Sequence, residues 1–201
     1  MSGFDSFPLG ADLFGAAEDA PLNDRLLFLI YPDEATAAHI AELALKLRAR
    51  HGLRGRPHAQ DRFHITLQHI GDYAGLPADL VALAHQAAST LTRQPFEARF
   101  DYAASFGGKP GNLPFVLRGD GQDALIAFNN ALAMAMVRTG SRLGKSAKLD
   151  FVPHVTLLYD AQSVAAQPIE PISWTVREFA LVHSLVGQTQ HRVLGRWSMD
   201  G

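Results

Sequence analysis

A chain of 201 residues with 47% hydrophobic and 19% charged side chains has room for one substantial core, or for two small lobes sharing one. The lack of cysteine excludes disulfides, thiolate metal sites and a thiol nucleophile, and no apolar run reaches the length of a membrane span or a secretory leader, so a soluble cytoplasmic protein is expected. The net charge of −2 conceals an asymmetry: residues 1–24 carry five of the 20 acids and none of the 18 bases, which leaves a remainder too weakly positive for a long nucleic-acid track.

Residues 1–24 read as an N-terminal extension, laid on the surface or partly disordered, ahead of a folded unit over 25–201. Arg25 to Tyr31 reads as a buried strand stopped by Pro32. Asp33 can cap the helix that follows, whose apolar stripe is Ala37, Ile40, Leu43, Ala44 and Leu47. A basic loop from Arg54 to Arg62 feeds a short strand around His64-Ile65-Thr66-Leu67. A second helix is predicted from Leu76-Pro77 to about Thr92, and a half-exposed strand from Pro95 to Phe106. The turn-rich stretch 107–112 leads into a strand from Pro114 to Arg118; its lysine lacks the frame of a phosphate-binding loop. A helix from about Asp123 to Arg142 follows, stopping near Gly144, and then a strand around His154-Val155-Thr156-Leu157. The tail reads as a hairpin, Ser173 to Val186 and Gln190 to Met199, turning at Gly187-Gln188.

The two His-x-Thr-Leu copies carry the chemistry. One copy alone is weak evidence, but the contexts match. Each has a phenylalanine and an acid just upstream, and each has a polar ring five residues after the histidine: His69 in one, Tyr159 in the other. On a strand, alternate side chains share a face, so His64 points with Thr66 and His154 with Thr156. Two such strands facing each other give two imidazoles that can move protons and two hydroxyls that can hold an anion. On an ideal strand His69 and Tyr159 fall one step out of phase with their histidines. That places them on the opposite face, in a packing role, unless the strand ends or bulges there. Arg62 at the end of the basic loop, Arg118 at a strand end and His183 or Ser184 in the late strand are the further candidates for contact with a phosphate or nucleotide. His39, His51 and His85 read as surface residues. No His-x-x-x-His pair suggests a metal site, and no cofactor is expected.

Two His-x-Thr-x motifs about ninety residues apart, each on a strand, resemble the two-histidine (2H) phosphoesterase superfamily, and most closely its bacterial branch of RNA 2′,3′-cyclic phosphodiesterases and 2′-5′ RNA ligases. The likeness runs over roughly residues 25–199. It includes the strand ending at Pro32, Gly71, the Pro153-to-Leu157 core and the segment Phe179 to Ser184. The resemblance implies an α+β bilobal fold, two mainly antiparallel sheets with outer helices and a central cleft. It implies metal-independent hydrolysis of a 2′,3′-cyclic phosphate, on RNA 3′ ends or cyclic nucleotides, to a 2′-phosphate. By the same analogy His64 is the acid toward the 3′ oxygen, His154 the base toward water, and Thr66 and Thr156 hold the non-bridging oxygens. Tyr159, His69, Arg62, Arg118 and Ser184 are then substrate-binding candidates, no metal or membrane is involved, and a monomer is expected. The chain departs from the branch where Tyr159 replaces a common arginine, His69 a common aromatic and His191 a frequent tyrosine. A 2′-5′ ligase, another 2′-5′ diesterase and a non-catalytic nucleotide sensor are the alternatives.

Overall fold

The computed structural model describes residues 21–140 and 151–199, apart from 93 and 189. The predicted extension lies largely on 1–20 and the predicted end of the third helix on 141–144, outside the described residues.

Eight strands form two four-stranded sheets in which every neighbouring pair is antiparallel. The first sheet has the order β2 (Ile65–Tyr73), β1 (Asp24–Ile30), β7 (Glu178–Leu185), β8 (Gln190–Ser198). The second has the order β5 (His154–Asp160), β4 (Leu113–Arg118), β3 (Phe96–Ser105), β6 (Gln167–Val176). The continuous apolar runs Leu26–Ile30 and Phe179–Val182 are buried on both faces, as central strands require. Among the described residues three α-helices join them, α1 (Glu34–Arg50), α2 (Ala78–Ser89) and α3 (Asp123–Arg138), with a 3-10 turn at Gln60–Arg62. Asp33 caps α1 as predicted, accepting the Thr36 amide at 2.8 Å. Helix α1 packs on β5 and β6 of the second sheet, while α3 packs against α2, β2 and β3. One core, with Phe28, Phe100, Phe115, Phe128 and Phe179 among its large members, therefore runs through both halves. No described helix is long and apolar enough to cross a membrane.

The tail departs from its predicted form. Ser173 to Val186 is not one strand: β6 ends at Val176 in the second sheet, and β7 starts at Glu178 in the first. The cause is a change of period. Ile172, Trp174 and Val176 alternate with exposed residues, whereas β7 is buried almost throughout. Only β7 and β8 make the hairpin, with Gly187 at φ +82° in its turn.

On the face of the first sheet turned away from the core, Leu27 and Leu29 of β1 meet Ala180 and Val182 of β7, with Tyr31 packed beside them. This is the floor on which the first histidine motif stands.

Candidate active site

The two motif strands, β2 and β5, are edge strands of their sheets and touch one another. His64 directly precedes β2, and its Nδ1 donates to the carbonyl of Arg62 at 2.6 Å. His154 opens β5, and its Nδ1 donates to the carbonyl of Val152 at 2.8 Å. Both rings are thus fixed by the carbonyl two residues upstream, which leaves each Nε2 as the atom free to move a proton. Thr66 and Thr156, partly buried, share the face of their histidine as the strand period requires.

His69 and Tyr159 do not face away as the ideal period predicts. The ladder between β1 and β2 skips Leu67, and that between β4 and β5 skips Leu157. In each strand two successive residues, Leu67 with Gln68 and Leu157 with Leu158, turn toward the core. The matching bulges return His69 and Tyr159 to the cleft face. Once there, the two differ. His69 Nε2 donates to Asp72 at 2.8 Å, and Asp72 takes a forked pair from Arg25 at 2.7 and 2.9 Å, which pulls its carboxyl down to about 2. Tyr159 is exposed, with the His58 ring edge-on at 5.9 Å.

One arginine accompanies each histidine. Arg118 is the cross-strand partner of His154, and its guanidinium lies over Phe106 at 5.1 Å and Tyr102 at 5.3 Å. The Phe106 ring in turn sits 5.0 Å from that of His154. Arg118 Nε and Arg62 Nη1 are both buried without a hydrogen-bond partner. Unpaired cationic donors of this kind call for an anion. Burial pushes His64 down to about 4, against the bond from its Nδ1, and the charge of Arg62 adds to the effect. Burial also lowers His154, with Arg118 contributing. His58 is lowered in the same way. Burial and fixed positive charge thus both favour the neutral form of these imidazoles.

Two further rings stand beside His64: Tyr31, which the sequence reading of the site missed, and His191, which it noted only as a departure from the branch. His191 of β8 lies with its ring 5.3 Å from that of His64, and its Nδ1 is 2.9 Å from the Tyr31 hydroxyl. Burial raises Tyr31 to about 12 and lowers His191 to about 3, so a protonated phenol donates to a neutral imidazole. The alternation Leu27, Leu29, Tyr31 is the signal that could have found Tyr31, and Tyr102, Ala104, Phe106 the one for Phe106. Ser184 is buried, opposite Arg25 in β1 and His191 in β8. His183 faces the other way, donating to Asp24 at 2.6 Å. Among the described residues no group of His, Asp or Glu is arranged to hold a metal ion.

The electrostatics can be read directly. Ring-proton spectra should show His64 neutral at pH 7 and titrating near pH 4 in the free protein. Saturating inorganic phosphate should move that midpoint upward, because an anion beside the ring favours its charged form. A free-protein midpoint at the ordinary 6.5 would contradict the burial described above.

Known proteins share this architecture. A Thermus thermophilus protein of known structure superimposes with a TM-score of 0.69 at 23% identity, covering 88% of this chain and 98% of its own, which shows a common fold. Escherichia coli LigT, crystallised with 3′-AMP, matches with a TM-score of 0.63 and 27% identity over 89% of this chain and 98% of its own. The RNA 2′,3′-cyclic phosphodiesterase of Escherichia coli K12 is 29% identical over 170 residues, 81% of this chain and 91% of that one. The sequence profile of the 2′-5′ RNA ligase superfamily spans residues 32–188, and with its paired motifs on facing strands the chain belongs to that family of two-histidine phosphoesterases.

Proposed function

We propose that the protein hydrolyses 2′,3′-cyclic phosphates, on RNA 3′ ends or nucleotides, to 2′-phosphates by acid–base catalysis between His64 and His154. The observation that carries this reading is the paired setting of the two rings. Each is fixed through Nδ1 with Nε2 free, and each has beside it an arginine carrying an unpartnered buried nitrogen. A sensor that only binds nucleotide has no need of two proton-transfer groups. The names of the Escherichia coli relatives, a cyclic phosphodiesterase and a protein crystallised with 3′-AMP and with ATP, support the same substrate class.

The step balances simply. His154 Nε2 takes a proton from water as the water oxygen bonds to phosphorus. His64 Nε2, protonated beforehand, gives its proton to O3′ as the P–O3′ bond breaks. Thr66, Thr156, Arg62 and Arg118 face the charge that grows on the non-bridging oxygens. The bound phosphodiester supplies the charge that lets His64 hold a proton near neutral pH, offsetting its burial. Arg62 repels cations from the cluster of His58, His64 and His191, so the chemistry proposed uses no metal.

The test is incubation in EDTA with 2′,3′-cyclic nucleotides and with a short RNA ending in a cyclic phosphate, resolving 2′- from 3′-phosphate. A 2′-phosphate is expected. No turnover of either, with nucleotide still bound, would turn the reading to a sensor.

A further inference from the structure

Beside His64, on the β8 side, a cavity of about 420 Å³ is lined by Tyr31, Asp61, Arg62, His191, Arg192 and Arg196, among others. Arg62 and Arg196 face a single lining carboxylate there. Arg196 lies opposite Ala180 on the cleft face of β8 and is steadied by an ion pair with Glu178, whereas Arg192 pairs with His183 and its side chain belongs to the other face. Arg62 contributes a buried Nη1 with no partner. Tyr31 gives its proton to His191 Nδ1, which leaves His191 Nε2–H as a further donor. The cavity begins one ring away from the proposed acid, since His191 and His64 stand 5.3 Å apart.

The direction of the reaction, as read above, decides what enters it. In the proposed step O3′ leaves on the His64 side and water attacks from the His154 side, so the ribose and everything upstream of it lie beyond His64. That is where the arginines are. We propose that this cavity is a second anion subsite, taking the 5′-phosphate of the nucleotide whose cyclic phosphate lies between the two histidines. Resting on the functional reading above, this makes the preferred substrate an oligonucleotide end, whose last residue carries a 5′-phosphodiester, over a free cyclic nucleoside monophosphate. Arg196 and the His191 Nε2–H set that preference, and His64 and His154 do the chemistry on either.

Binding tests the subsite without calling on turnover. Calorimetry on the full chain would compare adenosine 3′,5′-bisphosphate with 3′-AMP at fixed ionic strength. The bisphosphate is expected to bind about tenfold more tightly, the worth of one charge-assisted hydrogen bond. The Arg196→Gln variant should lose that advantage and leave 3′-AMP unchanged within about twofold. Arg192→Gln, on the other face of the strand, is the control and should keep it. Equal affinity for the two ligands, or a variant that weakens both alike, would overturn the subsite. Kinetics on a dinucleotide and a mononucleotide cyclic phosphate separate the two proposals. Selective bisphosphate binding without any turnover would sustain the subsite and refute the hydrolase.

Discussion

Replacing either His64 or His154 with alanine should lower kcat for a 2′,3′-cyclic phosphate by roughly 10²–10⁴-fold, the range for one general acid or base. The fold should survive. The hydrogen bond of each ring goes to a carbonyl two residues away in the same segment, so no long-range hydrogen bond is cut and only edge-on ring contacts with Tyr31, His191 and Phe106 are lost. Because the two rings serve one step, the double variant should be little worse than the poorer single one. The pH profile identifies which role each fills. A base must be neutral, so the His154→Ala variant should lose the fall in activity toward acid. An acid must be protonated, so His64→Ala should lose the fall toward alkali. Steady-state kinetics beside a circular-dichroism melt would check this, and full turnover by either folded variant would refute the mechanism.

The second large effect is expected from Gly55→Ala, well away from the proton transfer. The loop that delivers Arg62 and His64 lies along the strand of the other motif. Arg54 and Gly55 donate to Asp160 at 2.6 Å each, His58 donates to the Leu157 carbonyl at 2.8 Å, and Arg48 reaches the Gly55 carbonyl. The Gln162 amide, together with those of Gly55 and Arg54, holds the Asp160 carboxyl below its ordinary range. A Cβ on residue 55 would stand 1.9 Å from the Tyr159 carbonyl oxygen and 2.9 Å from its carbon. Backbone cannot give way as a side-chain tip can, so the loop must lift from β5. The expected cost is about 1–3 kcal/mol, as for other overpacked sites, together with a loss of activity as Arg62 shifts. Gly107→Ala, where a Cβ meets open space, is the control. A urea midpoint equal to that of the control would show that the contact is not limiting.

How much of this was legible beforehand follows from period and adjacency. The repeated motif, the capped first helix and the middle strands could be read because their signals are local. The division of the tail was missed although the period changes at Arg177-Glu178, from alternation to a continuous apolar run, because one strand passing from half-buried to fully buried would read the same way. The pairing partners place β6 and β7 in different sheets. The face of His69 and Tyr159 stayed conditional on a bulge for a related reason: a bulge is a property of two strands in register, and neither Leu67 nor Leu157 announces one. His191 is 127 positions from His64 in the chain and stands on the opposite edge strand of the first sheet, so no local signal announces the contact of the two rings. The quartet of motif residues sits on facing strands, and its catalytic role rests on the assays proposed above.

The matched bulges carry one more consequence, for association between molecules. Both motif strands are sheet edges, and a regular edge presents a row of amides and carbonyls to which any extended chain can add. Here the edges must stay open to solvent, since the cleft lies between them. Each strand is kinked immediately after its His-x-Thr, and on β5 the Leu157 carbonyl is already taken by the His58 amide. A straight ladder is thereby interrupted where a foreign strand would begin to zip. The distortion that aims His69 and Tyr159 into the cleft also guards against edge-to-edge aggregation, so straightening it would endanger solubility as well as the site.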